Sequence, residues 1–161
     1  RAAASAAYSA ALAQIQTDPA AARAELEKQA ANALQPYRSL AALTAAQLRP
    51  TLEEQVTALS AVAPGLSATE LTDLALVIAA FKSIDTPKAE EMVARLEPLA
   101  APGRPFRLSV RELQAMLAVR KGDTKLAKEL WNEIAKDPAV PQGASQRVSA
   151  MLNLHGGAEA K

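Results

Sequence analysis

The sequence predicts an all-α protein on three observations. Alanine supplies 39 of the 161 residues, aromatic side chains make up only 3%, and Pro, Gly and Asp recur at intervals that suit helix lengths. Alanine, leucine and the long straight side chains lose least on entering a helix, whereas the β-branched residues that favour strands are sparse. No strand is expected. A chain of this length suits one domain with a continuous core. Small side chains also let helix backbones approach closely, which is the interface that stacked helical hairpins use.

Punctuation divides the chain into nine helical segments, at residues 2–16, 19–33, 36–48, 51–62, 67–83, 87–99, 105–121, 124–136 and 141–154. The first is alanine-rich throughout. Asp18 stands before Pro19, and Thr86 before Pro87, so a side-chain oxygen can cap free amides where the second and sixth segments begin. Ser67 followed by Glu70 fits a capping box for the fifth segment, whose stretch Leu74 to Phe81 is the most apolar of the chain. Asp123 caps the eighth, and the ninth, opening at Pro141, has no partner helix and would cover the apolar face of the last hairpin. Connections of two to four residues force neighbouring helices to run antiparallel, because so short a link cannot carry the chain back.

The hairpins repeat. Leu26, Val56, Val93 and Trp131 occupy equivalent positions at spacings of 30, 37 and 38 residues, which bracket a 34-residue period. The best unit runs from Arg111 to Val140: Ala115 in its first helix, Gly122 at the turn, Ala127 in its second helix, then Trp131 and Ile134, with Pro138 and Pro141 closing it. Ala89, Val93 and Leu96 echo that order and end at Pro102. This succession resembles the tetratricopeptide pattern. It implies a right-handed superhelix of about four hairpins with a C-terminal capping helix over residues 1–154, and a flexible tail at 155–161.

A second resemblance rests on Arg95-Leu96-Glu97-Pro98-Leu99-Ala100, Gly103-Arg104-Pro105-Phe106-Arg107, Ser109 with Arg111-Glu112-Leu113, and Lys121-Gly122-Asp123-Thr124. From Leu71 to Leu154 the chain is similar to the soluble part of bacterial ancillary SecYEG translocon subunit-like proteins of the alphaproteobacterial type. The resemblance implies a repeat domain at the periplasmic face of the inner membrane. It would be held there by an N-terminal anchor outside this chain, and would contact the secretion machinery or periplasmic chaperones. It carries over no catalytic residue.

Charge and composition exclude several other classes. With 18 basic and 17 acidic residues interspersed, nonspecific nucleic-acid binding is not expected. The chain has no cysteine, hence no disulfide and no Cys-ligated metal, and no apolar run approaches the roughly 20 residues of a bilayer span. No phosphate-binding glycine loop precedes a helix. His155, the one histidine, falls in the expected tail without a ligand pattern around it, so neither a metal site nor a Ser-His-Asp arrangement is expected. The pairs Glu53-Glu54 and Glu90-Glu91 read as solvated helix faces, because adjacent helical residues diverge by about 100°. Glu91 is placed to support Arg95 at i,i+4. No catalytic residue, metal or cofactor is therefore expected.

The one local charge asymmetry is the group Arg104, Arg107, Arg111, Arg120 and Lys121. It is read as pairing with Glu90, Glu97, Glu129 or Glu133, with contact to an acidic partner or lipid headgroups as the alternative. Trp131 is read as core. Carrying the repeat register onto the first helix of each hairpin directs Leu74, Ile78, Phe81 and Lys82 on one helix, and Ser109, Glu112, Met116 and Arg120 on the next, toward an inner groove that would hold a protein partner. The expected function is a non-catalytic protein-interaction scaffold. A structural module of an envelope or cell-division complex and an accessory helical domain of a larger enzyme remain open beside it, as does the oligomeric state.

Overall fold

Asp18, Thr51 and Asp123 each accept a backbone N–H three residues on, at 3.1 Å, and a helix begins at each of these caps. In the computed structural model, which describes residues 2–156, the helices are α1 (Ala2–Gln14), α2 (Pro19–Asn32), α3 (Tyr37–Gln47), α4 (Leu52–Val62) and α5 (Thr69–Ser83). They are followed by α6 (Ala89–Ala94), α7 (Arg107–Arg120), α8 (Thr124–Lys136) and α9 (Gln142–Gly156). Short 3-10 turns cover Ala63–Gly65 and Glu97–Ala100. No strand occurs among the described residues, as the composition predicts.

Four local expectations are corrected. The helix expected over 87–99 stops at Ala94, because Pro98 lacks an N–H and its ring would collide with the carbonyl four residues earlier. A 3-10 turn with Pro98 in its first positions replaces the last turn. With the helix ended, the Glu91–Arg95 pair is not seen, and the Arg95 guanidinium reaches Met92 Sδ at 4.0 Å. At α5 the helix starts at Thr69, one residue too late for Ser67 to cap it. Ser67 instead donates its backbone N–H to the buried Ser39 hydroxyl at 2.9 Å. Thr86 likewise stands outside α6, where its hydroxyl accepts the Lys88 N–H at 3.3 Å in a local turn.

Backbone contacts group the chain into two compact units, Arg1–Ser83 and Ile84–Lys161, where length alone suggested one. The hairpin expected from segments 67–83 and 87–99 is thereby divided between them.

In the first unit, α2 packs along α3 and α4 along α5, with α1 laid on α2 and α3. Ala11, Leu26, Ala41 and Ala45 form a core in which three of four side chains are methyl groups, which allows the helices their close approach. Two polar clips hold α1. Tyr8 Oη and Thr44 Oγ1 are hydrogen-bonded at 3.0 Å, and the buried Gln29 donates Nε2 to the Ala7 carbonyl at 3.1 Å.

In the second unit, α7, α8 and α9 pack in succession around Trp131, which is only 1% exposed. Ala115 and Ala118 of α7, Ala127, Leu130 and Ile134 of α8, and Val148 of α9 surround it. Leu26, Val56, Val93 and Trp131, the four repeat positions, are all buried. Gly122 makes the α7–α8 turn possible. Its φ of +78° suits a residue without Cβ, and the turn closes two bonds, Gly122 N–H to Val119 O at 3.0 Å and Asp123 N–H to Ala118 O at 2.8 Å. Helix α9 continues two residues past the expected end, so His155 is not in a tail. Its ring stacks on Trp131 with centroids 5.4 Å apart. Residues 157–161 of the expected tail lie outside the described residues.

Candidate functional site

The second unit carries an open cleft of about 620 Å³ where the first turns of α7 and α9 lie beside the α8–α9 connection. Arg104, Arg107, Ser109 and Glu112 line one side, Gly143, Ala144 and Arg147 the other, and Leu108, Ile134 and Pro141 supply apolar wall. Local sequence explains how Asp137 is presented to this cleft. The proline run around Pro138 and Pro141 holds Asp137 in an extended conformation (φ −74°, ψ 124°) that ends α8. Asp137 then accepts the Ala139 N–H at 2.8 Å with one oxygen and the Arg107 Nη1 at 2.6 Å with the other, so one carboxylate fixes both the turn and the start of α7. These two hydrogen bonds, first to the backbone and second to the guanidinium, hold the Asp137 carboxyl below its ordinary range.

Two further carboxylates, Glu133 and Glu112, hold arginines at or beside the cleft. Arg107 Nη2 donates to Glu133 at 2.9 Å, and Arg111 Nε lies 3.3 Å from the same oxygen, so one carboxylate faces two guanidinium groups. Arg147 grips Glu112 with Nε at 2.9 Å and Nη2 at 3.1 Å, a two-pronged bond that raises the arginine pKa further and ties α9 to α7 through their side chains. The glutamate of this pair is largely buried and the arginine largely exposed.

Four of the five basic residues, Arg107, Arg111, Arg120 and Lys121, are thus engaged in ion pairs within their own unit. Arg107 and Arg111 take Glu133, Lys121 takes Glu90 at 2.8 Å, and Arg120 takes Asp85, an acid outside the expected set. Glu97 is reached through Gln114, which also accepts from Arg111 at 2.8 Å. The Lys121 hydrogen bond, with its charge, lowers the Glu90 pKa. Glu53, Glu54, Glu90 and Glu91 are all exposed, in keeping with solvated helix faces.

Of the eight residues expected to line a groove, Leu74, Ile78, Phe81 and Lys82 lie half-buried on α5 of the first unit. The other four lie on α7 of the second unit. Ser109 and Glu112 enter the cleft, Met116 is half-buried one turn further along, and Arg120 is exposed at the helix end. Sequence reasoning missed Asp137 and Arg147. The signal for Asp137 was its place before Pro138, whereas Arg147 meets Glu112 across 35 residues and left no local trace.

Comparison with family models, with curated proteins and with solved structures yields no match. The chemistry must therefore be read from these residues. Among the described residues no group of three or more His, Asp or Glu is placed to hold a metal ion, and no helix is long and apolar enough to cross a membrane. What the cleft and the adjoining face of α7 offer is arginine donors beside apolar wall on rigid helices, an arrangement suited to recognition of another molecule.

Proposed function

We propose that this chain is a non-catalytic protein-binding module whose helical hairpins stack as a right-handed, tetratricopeptide-like superhelix. The observation that carries the reading is the α7–α8–α9 segment. There the sequence order small residue, glycine turn, small residue, large apolar residue corresponds to packed neighbours: Ala115 and Ala127 at close contact positions, Gly122 at positive φ, and Trp131 buried under a closing helix. In such modules the first helix of each hairpin lines the inner groove that takes a partner, which here is the α7 face of Ser109, Glu112, Met116 and Arg120, with the α5 face of Leu74, Ile78, Phe81 and Lys82 as its counterpart in the first unit. The likeness of residues 71–154 to translocon-associated proteins supports a periplasmic setting at the inner membrane, with the secretion machinery or a periplasmic chaperone as partner.

The test is the double substitution Met116→Glu and Arg120→Glu in the full-length protein. Arg120 and Asp85 are both at least half exposed, so breaking that pair costs only about 0 to 1 kcal/mol and helicity stays unchanged. Recovery of cross-linked partners should fall at least tenfold. Undiminished recovery from a folded variant contradicts the assignment of the α7 face.

A further inference from the structure

The cleft between the first turns of α7 and α9 has a chemistry that partner binding in general does not specify. We propose that it captures the C-terminal carboxylate of a peptide, with the apolar side chains next to that carboxylate resting on its wall; this rests on the protein-binding reading above and names the partner's chemistry.

Three observations converge. The first is the cleft itself, whose volume of about 620 Å³ falls in the range that small ligands fill and exceeds what a single inorganic ion requires. The second is the state of Arg147. Its Nε and Nη2 are committed to Glu112, which fixes the plane of the guanidinium, while Nη1 makes no bond to any described residue. That Nη1 lies against the first turn of α9, 3.7 Å from the point where a Cβ on Gly143 would sit. A guanidinium oriented in this way presents donors to an incoming carboxylate without first losing rotamer freedom.

The third is the balance of polar and apolar groups around that donor. Neither α7 nor α9 carries an acid in its first turn, and α7 has no side-chain cap, so the backbone amides of both ends add positive potential to the same space. The acids that do line the cleft, Glu112 and Asp137, are each bound to an arginine. Leu108, Ile134 and Pro141 then provide apolar wall, which inorganic phosphate would leave unused and a peptide end would cover. Ser109 and Ala144, small residues of the lining, leave room in the cleft.

The experiment uses fluorescence anisotropy at low salt with a labelled Ala-Ala-Leu-Leu peptide bearing a free carboxyl end, and the same peptide as its C-terminal amide. The free acid should bind at least tenfold more tightly than the amide. Arg147→Gln, which removes the donor, and Ala144→Phe, which fills the cleft, should each weaken the acid at least tenfold, while Lys136→Gln leaves it unchanged. Circular dichroism of each variant confirms folding. Equal binding of acid and amide, insensitivity to both cleft variants, absence of binding to millimolar peptide, or displacement by an equal concentration of inorganic phosphate would each overturn the proposal. If Met116→Glu with Arg120→Glu abolishes binding and the cleft variants do not, the α7 face is the binding surface and the carboxylate cleft is not.

Discussion

Trp131→Ala removes the largest buried side chain of the second unit, and its cost follows from what surrounds it. The indole is 1% exposed and contacts a cluster drawn from three helices, so truncation leaves a cavity that α7, α8 and α9 cannot all close on. Truncating a buried Trp costs about 3–5 kcal/mol through lost transfer energy and the cavity term. Loss of the His155 stack adds about 0.5–1.5 kcal/mol. A loss of about 4 kcal/mol corresponds to a fall of roughly 8–16 °C in Tm for a chain of this size. Because the substitution removes the only tryptophan, the assay is urea denaturation followed by far-ultraviolet circular dichroism. Trp131→Phe, which keeps a ring in the cavity, should lose less than half as much. A loss below about 1 kcal/mol for Trp131→Ala, the scale of an ordinary surface change, would refute the three-helix core around this residue.

Two other perturbations test the local physics. Gly122→Ala forces a Cβ into a φ of +78° and should destabilise by about 1–2 kcal/mol in thermal denaturation, although nothing lies within 4 Å of the added methyl. Asp137, whose pKa is lowered in the folded state, contributes stability above its ordinary value of 3.8 and loses it as pH falls through the lowered value. The stability difference between the wild type and Asp137→Asn should therefore be full at neutral pH and shrink below about pH 4 in acid titrations followed by circular dichroism. A difference that does not change with pH would mean that the carboxylate is not held by Arg107 and Ala139.

What the sequence made legible is what short-range rules govern. Asp18 and Asp123 cap helices because a carboxylate just ahead of a helix has free amides within reach, and Gly122 turns the chain because a residue without Cβ takes a positive φ at little cost. Trp131, Val93, Val56 and Leu26 were identifiable as core from their spacing alone. The break of α6 at Pro98 obeys an equally local rule, yet the apolar positions Val93, Leu96 and Leu99 run on through it and mask the stop. The division after Ser83 has no such signature, since buried residues stand on both sides of it, Ala79, Ala80 and Ser83 before and Ile84 after. The cleft was half visible. Ser109 and Glu112 follow from the repeat register, but Glu112 meets Arg147, and Arg107 meets Asp137, across 35 and 30 residues, distances over which only the packing of α7, α8 and α9 decides contact. His155 falls in the expected tail because the ninth segment is expected to end at Leu154. Its ring instead finds the Trp131 face, and the helix persists through it.

The proposed role of α7 as a face for another protein is open to site-specific photocross-linking. A photoreactive amino acid is placed at position 116 of the full-length protein in its native cells, with exposed position 136 on α8 as the control. A discrete adduct with a partner protein is expected from position 116 and none from position 136. Adducts from position 136 alone, or equal smears from both, would contradict it.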